Sequence, residues 1–224
     1  MAPSPDETQI DMRLVDISFK VRGIGIPREH EYPMFSAISD RLGSEVTHGD
    51  SPLQFSRICS LVPSNDIMML TKNSRLWVRT PICMLGACLR LSGKFLKIGR
   101  SRVHLTPDYS SIRGIVPSDI LFSHRVIIKH RNLSDASQIN PQMHEDAVQR
   151  QLDGLDVQGA ISVQNRRTTV RIKGRVIVGY PVLLRGLSDQ GSMIVQSRGI
   201  GGHRHIGCGI FFRPSERHLE EIMK

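Results

Sequence analysis

The sequence is poor in aromatic residues, which make up 5% of its 224 positions. Stacking of nucleic-acid bases on aromatic platforms is therefore not expected as a main binding mode. Cysteines are also scarce: there are four, with no CxxC pair and no histidine at zinc-finger spacing. Neither a disulfide framework nor a structural zinc site is consequently predicted.

Long apolar runs are missing as well. No stretch approaches the roughly 20 apolar residues that span a bilayer, and Met1–Thr8 is polar, unlike the apolar part of a signal peptide. We therefore expect a cytoplasmic protein with no membrane partner. The apolar share of 39% is still enough for a buried core.

Motifs for metal or cofactor chemistry are absent from the sequence. Asp and Glu are scattered, and no pair is spaced to hold two metal ions. There is neither a GxxxxGK[ST] phosphate loop nor a GxSxG elbow. We therefore expect no metal and no cofactor, and serine-hydrolase chemistry is not supported.

Positive charge is what the sequence has in excess. Thirty Lys and Arg residues face 21 Asp and Glu residues, which gives a formal net charge of +9. Lys and Arg that neutralise phosphates release counterions, so this balance favours a polyanionic partner, most simply a nucleic acid.

Hydrophobic periodicity and turn residues predict two successive sets of elements. The first set is a strand at 10–22, a helix at 33–42, strands at 53–62 and 75–80, a helix at 82–91 and a strand pair or bent strand at 95–105. The second set is a strand at 121–129, a helix at 141–155, a hairpin of 168–172 and 176–184, a short helix at 188–197 and a last strand at 207–212. Each half follows the order β-α-β-β-α-β.

This order predicts an α+β fold made of two ferredoxin-like units in tandem. We place an N-terminal domain at 1–108 and a C-terminal domain at 120–224. Residues 109–119, which contain proline, glycine and several serines, are expected to be the linker.

The glycine loop, defined here as residues 199–209, is the strongest local signal. It follows Arg198 and contains Gly199, Gly201, Gly202, His203, Arg204, His205, Gly207 and Gly209. Glycine allows positive φ and close backbone approach, and successive N–H groups can form an anion nest. Phosphate binding is one interpretation, and a glycine-rich hairpin without a ligand is the other.

The basic hairpin, defined here as residues 166–175, is the second signal. It contains Arg166, Arg167, Arg171, Lys173 and Arg175. Alternate residues of a strand share a face, so the last three are expected to form a row that tracks a phosphate backbone. The other interpretation is a solvated charged edge that deters aggregation.

Three segments resemble a known family. GIGGHRHIGCGIF from residue 199 resembles the C-terminal glycine-rich loop of the CRISPR-repeat-processing endoribonucleases of the RAMP superfamily. HEYPMFSAIS from His30 resembles the start of the first helix in the short MYXAN-type branch of that family. RRTTVRIKGRVIVGY from Arg166 resembles the hairpin of the same branch.

The resemblance implies both a fold and a reaction. Family members are tandem ferredoxin-like proteins that cleave CRISPR repeat RNA, the precursor of crRNA, without a metal ion. The 2′-hydroxyl beside the scissile phosphate attacks, leaving a 2′,3′-cyclic phosphate and a 5′-hydroxyl. The partner is then the repeat RNA or crRNA, with other subunits of a CRISPR effector complex as further candidates, and we expect the product to stay bound.

Such a reaction needs a general base, for which histidine is suited. His30 lies at the motif position before the first predicted helix, and His48 follows that helix in a Thr-His-Gly-Asp segment. Both remain candidates, with Tyr32 as a possible hydrogen-bonding partner. A chain that binds crRNA without cutting it, or an RNA-binding protein unrelated to CRISPR, remains the alternative.

Overall fold

The computed structural model describes residues 13–49, 51–65, 67–129 and 139–222. The chain forms two compact units. The first contains the described residues up to Arg28 together with Pro33–Gly114, and the second contains Glu29–Tyr32 together with the described residues from Ile115. The residue range 29–32, which includes His30, is therefore grouped with the second half of the chain.

The first unit is a sheet covered by helices. Its elements are β1 (Leu14–Arg22), β2 (Gly25–Pro27), α1 (Glu31–Leu42), α2 (Ser44–Thr47), β3 (Gln54–Phe55), β4 (Cys59–Ser64), β5 (Ile67–Pro81), α3 (Leu85–Leu89), β6 (Phe95–Ile98) and β7 (Ser101–Gly114). A 3₁₀ turn at Ile82–Met84 precedes α3. Of the predicted first strand, residues 10–12 lie outside the described residues.

The first sheet has ferredoxin-like strand order. β4 pairs with β5, β5 with β1 and β1 with β7, all antiparallel, and β6 is added beside β7. When the four strands are numbered by their place in a β-α-β-β-α-β unit, their order across the sheet is 2-3-1-4. Alternation along β1 places Ile17, Phe19 and Val21 in the core. Met34 and Ile38, four residues apart in the helix predicted at 33–42, are buried with them.

The second unit repeats this plan. Its elements are β8 (Ile120–Val126), α4 (Pro141–Asp153), β9 (Ala160–Val163), β10 (Thr168–Ile172), β11 (Arg175–Arg185), α5 (Asp189–Arg198) and α6 (Glu216–Ile222), with a 3₁₀ turn at Arg204–Ile206. β9 pairs with β11 and β11 with β8, and Phe212 bridges to Phe122 of β8. The order is again 2-3-1-4, which confirms two ferredoxin-like units in tandem.

Helix ends in the second unit follow local chemistry. Asn140 caps α4 by accepting a hydrogen bond from the N–H of Met143 at 2.9 Å, and Pro141 occupies the first turn. Ser188 caps α5 by accepting from the N–H of Gly191 at 3.1 Å. The helix predicted at 141–155 from its apolar positions and the short helix predicted at 188–197 both lie close to the expected residues.

Three elements differ from the sequence-based expectation. β5 starts at Ile67 rather than near residue 75, because it forms a long hairpin with β4. β7 continues to Gly114, so strand occupies the first half of the expected linker 109–119. The last strand predicted at 207–212 is reduced to the single bridge at Phe212, because the chain before it is used by the glycine loop.

No helix within the described ranges is both long enough and apolar enough to cross a bilayer. The cytoplasmic location itself stays a prediction.

Candidate RNA-binding site

A buried ion pair in the second unit joins segments that are distant in sequence. The Arg125 guanidinium of β8 donates to the Glu31 carboxylate at 2.9 Å, and the two side chains are 10% and 4% exposed. Arg125 also donates to the Thr168 hydroxyl at 3.3 Å, at the start of β10. The motif segment that begins at His30 is thereby fixed to the base of the basic hairpin.

The glycine loop is attached to the same strand. The N–H of Gly209 donates to the carbonyl of Arg125 at 2.7 Å, and the N–H of Gly202 donates to the carbonyl of Ile127 at 2.9 Å. The Cys208 sulfur accepts a hydrogen bond from the Arg125 guanidinium. All three family-like segments therefore meet at β8.

The electrostatics of this cluster follow from burial. Desolvation disfavours the charged guanidinium, yet the Glu31 carboxylate and Cys208 together hold the pKa of Arg125 above its usual value. Burial raises the pKa of the Cys208 thiol to about 11, against the lowering effect of Arg125. The thiol is therefore protonated and unreactive at neutral pH.

The sequence did not single out Arg125, Glu31 or Cys208. A signal for Arg125 was nevertheless present, since it is a charged residue in the middle of the strand predicted at 121–129. A charge that must be buried with a strand requires a partner. Glu31 lies inside the quoted motif but had no assigned role.

The glycines of the loop serve backbone packing. A Cβ on Gly201 would lie 2.3 Å from the carbonyl oxygen of Ile127, and one on Gly209 would lie 2.1 Å from that of Ile200; both residues have positive φ. Ile200 near the start of the loop and Phe211, two residues beyond its end, belong to the apolar core. Glycine is thus required here by the fold itself.

Most N–H groups of the loop donate within the protein. Those of Gly199, Ile200, Gly201, Gly202, Ile206, Gly207, Cys208 and Gly209 have acceptors in the protein, that of Gly201 being the Gln151 side chain at 2.7 Å. An anion nest built from successive glycine N–H groups is therefore wrong for these positions, because the donors already have partners. A role of the loop in RNA binding rests on its side chains.

The side chains of the loop differ in exposure. Arg204 is exposed, as is Arg198 at the end of α5, whereas His203 and His205 are half-buried with ring centroids 6.0 Å apart. Burial lowers the pKa of His203 below its usual value. His203 also has a left-handed backbone, with φ of 63°.

The basic hairpin is exposed, but its expected row of cations is broken. Lys173 and Gly174 have φ of 47° and 81° and form the two-residue turn. Arg171 pairs with Val176, and Arg175 pairs with Ile172. Because directly paired residues share a face, Arg171 and Arg175 lie on opposite faces of the hairpin. The prediction of a single row was wrong because β10 ends at Ile172, so side chains no longer alternate between faces beyond it.

The remaining cations of the hairpin face solvent. Arg166 and Arg167 lie exposed in the link between β9 and β10. Arg171 forms an ion pair with Glu29 at 2.8 Å, with side chains 52% and 43% exposed. This pair gives a second connection between the residue range 29–32 and the hairpin.

The candidate catalytic residues occupy different environments. His30 precedes α1 and is only 3% exposed. Tyr32 lies in the first turn of α1 and is half-buried. His48 follows α2 in the first unit and is exposed, with its ring edge-on to Phe35 at a centroid distance of 5.1 Å.

Metal ligands are not grouped in the part of the chain that the structure describes. There, no three His, Cys, Asp or Glu side chains come together as a potential metal site. Metal independence stays a prediction that a chelator can test.

Comparison with known proteins identifies relatives. Residues 15–216 match the family model described as Cas6 Crispr. The CRISPR-associated endonuclease Cas6 of Myxococcus xanthus (strain DK1622) is 32% identical over 203 residues, which cover 91% of this chain and 83% of that protein.

Solved structures share the fold at low sequence identity. A CRISPR associated protein Cas6 superposes with a TM-score of 0.61 at 13% identity, covering 91% of this chain and 99% of its own. A RAMP protein described as binding different RNA substrates gives 0.57 at 16% identity, with 89% and 98% covered. The CRISPR endoribonuclease Cse3 bound to a 19 nt RNA gives 0.51 at 11% identity, with 89% and 98% covered.

Proposed function

The chain belongs to the Cas6 family of CRISPR-associated endonucleases, and we propose that it cleaves CRISPR repeat RNA by attack of the 2′-hydroxyl beside the scissile phosphate, without a metal ion. The observation that carries the proposal is the junction at β8. There Arg125 holds Glu31 of the first motif, Thr168 of the hairpin and Gly209 of the glycine loop.

The reaction proceeds by proton transfer around one phosphate. A general base takes the proton of the 2′-hydroxyl, and that oxygen attacks phosphorus. The bond to the 5′-oxygen breaks, and the leaving oxygen takes up a proton. The products are a 2′,3′-cyclic phosphate and a 5′-hydroxyl, and nearby cations stabilise the charge of the transition state.

We assign the general base to His48. A base must come within hydrogen-bonding distance of the 2′-hydroxyl, and the exposed His48 imidazole can do so. His30 is 3% exposed and is flanked by the two glutamates that anchor it, so its position favours a role in holding the start of α1. Tyr32 remains a candidate for contact with the RNA.

The assignment is tested by single-turnover cleavage of repeat RNA. We expect His48→Ala to lower the rate by about 10²- to 10⁴-fold, the usual contribution of a general base. His30→Ala is the matched variant, and it should lose thermal stability more than rate. If His30→Ala is folded and lowers the cleavage rate more than His48→Ala does, the general base is His30 instead.

The chemistry has two independent tests. Cleavage should proceed unchanged in excess EDTA, and a 2′-deoxy substitution at the cut site should abolish cleavage while RNA binding persists. Loss of cleavage with chelator would contradict the metal-free mechanism. A chain that binds repeat RNA tightly but never cuts it would instead be a crRNA-binding subunit of an effector complex.

We assign the grip on RNA phosphates to the exposed cations of the basic hairpin, together with Arg198, Arg204 and the two loop histidines. The same side chains contact the RNA before and after cleavage, so the product should dissociate slowly. A burst of product equal to the enzyme concentration, followed by a slow phase, is the expected time course.

A further inference from the structure

The first unit contains a long segment without acidic residues. Between Asp66 and Asp108 there are eight Lys and Arg residues and neither Asp nor Glu. This segment builds β5, β6 and β7, and the function proposed above uses none of its side chains. A run of one sign on adjacent strands favours a polyanionic ligand.

Two cations of this segment, Lys97 and Arg102, lie at the β6 edge of the sheet. Phe95 pairs with His104, and Lys97 pairs with Arg102. Paired residues and alternate residues of a strand share a face, so these four side chains lie on the same face of β6 and β7. Their neighbours Leu96, Ile98 and Val103 are buried on the other face.

A three-membered stack forms on that face. The rings of Phe95 and His104 are nearly parallel, with centroids 4.5 Å apart and planes inclined by 19°. The Arg102 guanidinium lies over the Phe95 ring at 4.1 Å from its centroid. Phe95 nonetheless remains 43% exposed, which is unusual for a phenylalanine. We call Phe95, Arg102 and His104 the stacking patch.

Further cations surround the stacking patch. Arg22 of β1 pairs with His104 and therefore shares its face. Arg41 of α1 donates to the carbonyl of Phe95 at 3.2 Å. Asp40 also lines a groove with Arg41 and Lys97. Two cations and one carboxylate therefore belong to the lining of this groove, and their formal charges sum to a positive value.

We propose that the stacking patch binds a single-stranded stretch of the RNA substrate, with a base extending the stack on the outer face of the His104 ring, which Phe95 supports from behind, and phosphates contacting Arg22, Lys97 and Arg102. An aromatic ring between cationic groups is the combination that single-strand binding sites use. Unpaired bases offer the planes that such a stack needs, whereas duplex bases are already stacked.

The inference rests on the proposed function for the identity of the RNA, but its test does not require cleavage. The probe is a labelled, unstructured RNA of about 12 nucleotides, whose affinity is measured by fluorescence anisotropy with the whole chain. We expect Phe95→Ala to weaken binding about tenfold and Phe95→Trp to restore it. Arg102→Gln should reduce the salt slope by about 0.7.

Ile112→Ala is the matched control, because Ile112 is 47% exposed on β7 and outside the stacking patch. Equal affinity of Phe95→Ala and Ile112→Ala would overturn the inference. So would a polyglutamate peptide that binds the wild type and loses affinity in Phe95→Ala as the RNA does, since the surface would then be an acidic-protein site.

A cleavage assay separates this inference from the proposed function. Phe95→Ala should cut a minimal repeat RNA at the wild-type rate under saturating enzyme, and should bind a repeat with a single-stranded extension about tenfold more weakly. Absence of cleavage by the wild type would refute the proposed function and leave the anisotropy result as evidence for the single-strand site. An unchanged affinity for the extended RNA in Phe95→Ala would overturn the inference alone.

Discussion

The glycine loop and the basic hairpin both combine glycine with cationic side chains, yet their polar groups face different surroundings. In the loop, the N–H groups of Gly201, Gly202 and Gly209 donate to acceptors inside the second unit. In the hairpin, Lys173 and Gly174 form an exposed turn, and the arginines point to solvent. Similar composition thus marks a packed connection in one case and a surface in the other.

The largest difference in unfolding free energy should appear between variants that break the two ion pairs of residues 29–32, one buried and one exposed. Arg125→Met leaves the Glu31 carboxylate buried without its partner, which should cost about 3–5 kcal/mol of unfolding free energy. Arg171→Gln breaks the exposed pair with Glu29 and should cost at most about 1 kcal/mol. Urea titration of both variants measures the difference.

A double variant serves as the control for this comparison. Glu31→Leu combined with Arg125→Met removes both charges, so it should recover much of the stability that Arg125→Met loses. If Arg125→Met were no more harmful than Arg171→Gln, the buried pair would not anchor the segment that begins at His30.

The second largest difference in unfolding free energy should appear between two glycine substitutions, one in the glycine loop and one in the basic hairpin. Gly201→Ala combines positive φ with a Cβ against the Ile127 carbonyl, and we expect a loss of about 2–4 kcal/mol. Gly174→Ala also has positive φ but open space around its Cβ, so about 1–2 kcal/mol is expected. Thermal unfolding of the two variants tests the ranking, and equal losses would mean that the loop relaxes around the added methyl.

The sequence predicted those features that depend on local pattern. Apolar periodicity located Met34 and Ile38 in the first core and Val148 and Leu152 in the second, and turn chemistry located the hairpin about Gly174. The alternation of strands and helices was sufficient for the fold class. These signals are local, and each is repeated over several residues.

Features that depend on tertiary contacts were missed. Nothing local shows that Arg125 meets Glu31, since 94 residues separate them. The stacking patch was discounted by the low aromatic content, although a single exposed phenylalanine between cations is enough to build it. The prediction that the last three hairpin cations form a row on one face was wrong, because the turn at Lys173 interrupts the alternation of side chains along the strand. Composition counts residues but does not show which face they occupy.

The third test measures how strongly the RNA affinity of a hairpin variant depends on salt concentration. Replacing Arg166, Arg167 and Arg175 by Gln should reduce the slope of log affinity against log salt by about 0.7 for each phosphate that is no longer neutralised. Arg185→Gln is the matched control, because Arg185 is exposed at the other end of β11 and has no assigned role in RNA binding. A hairpin variant with an unchanged slope would show that the hairpin is only a solvated charged edge.

The smallest effect is expected from the pH dependence of the loop. Burial holds the pKa of His203 below the usual 6.5, so the folded chain binds fewer protons at this position than the unfolded chain does. As pH falls through 6.5, the unfolded state takes up the proton first, and the unfolding free energy decreases until the lower folded pKa is reached. His203→Asn removes this titration and keeps a residue that tolerates left-handed backbone. Its unfolding free energy should therefore fall less steeply than that of the wild type between pH 6.5 and 5, as urea titrations at several pH values would show. Identical pH profiles would mean that the His203 imidazole is as accessible to protons in the folded loop as it is in the unfolded chain.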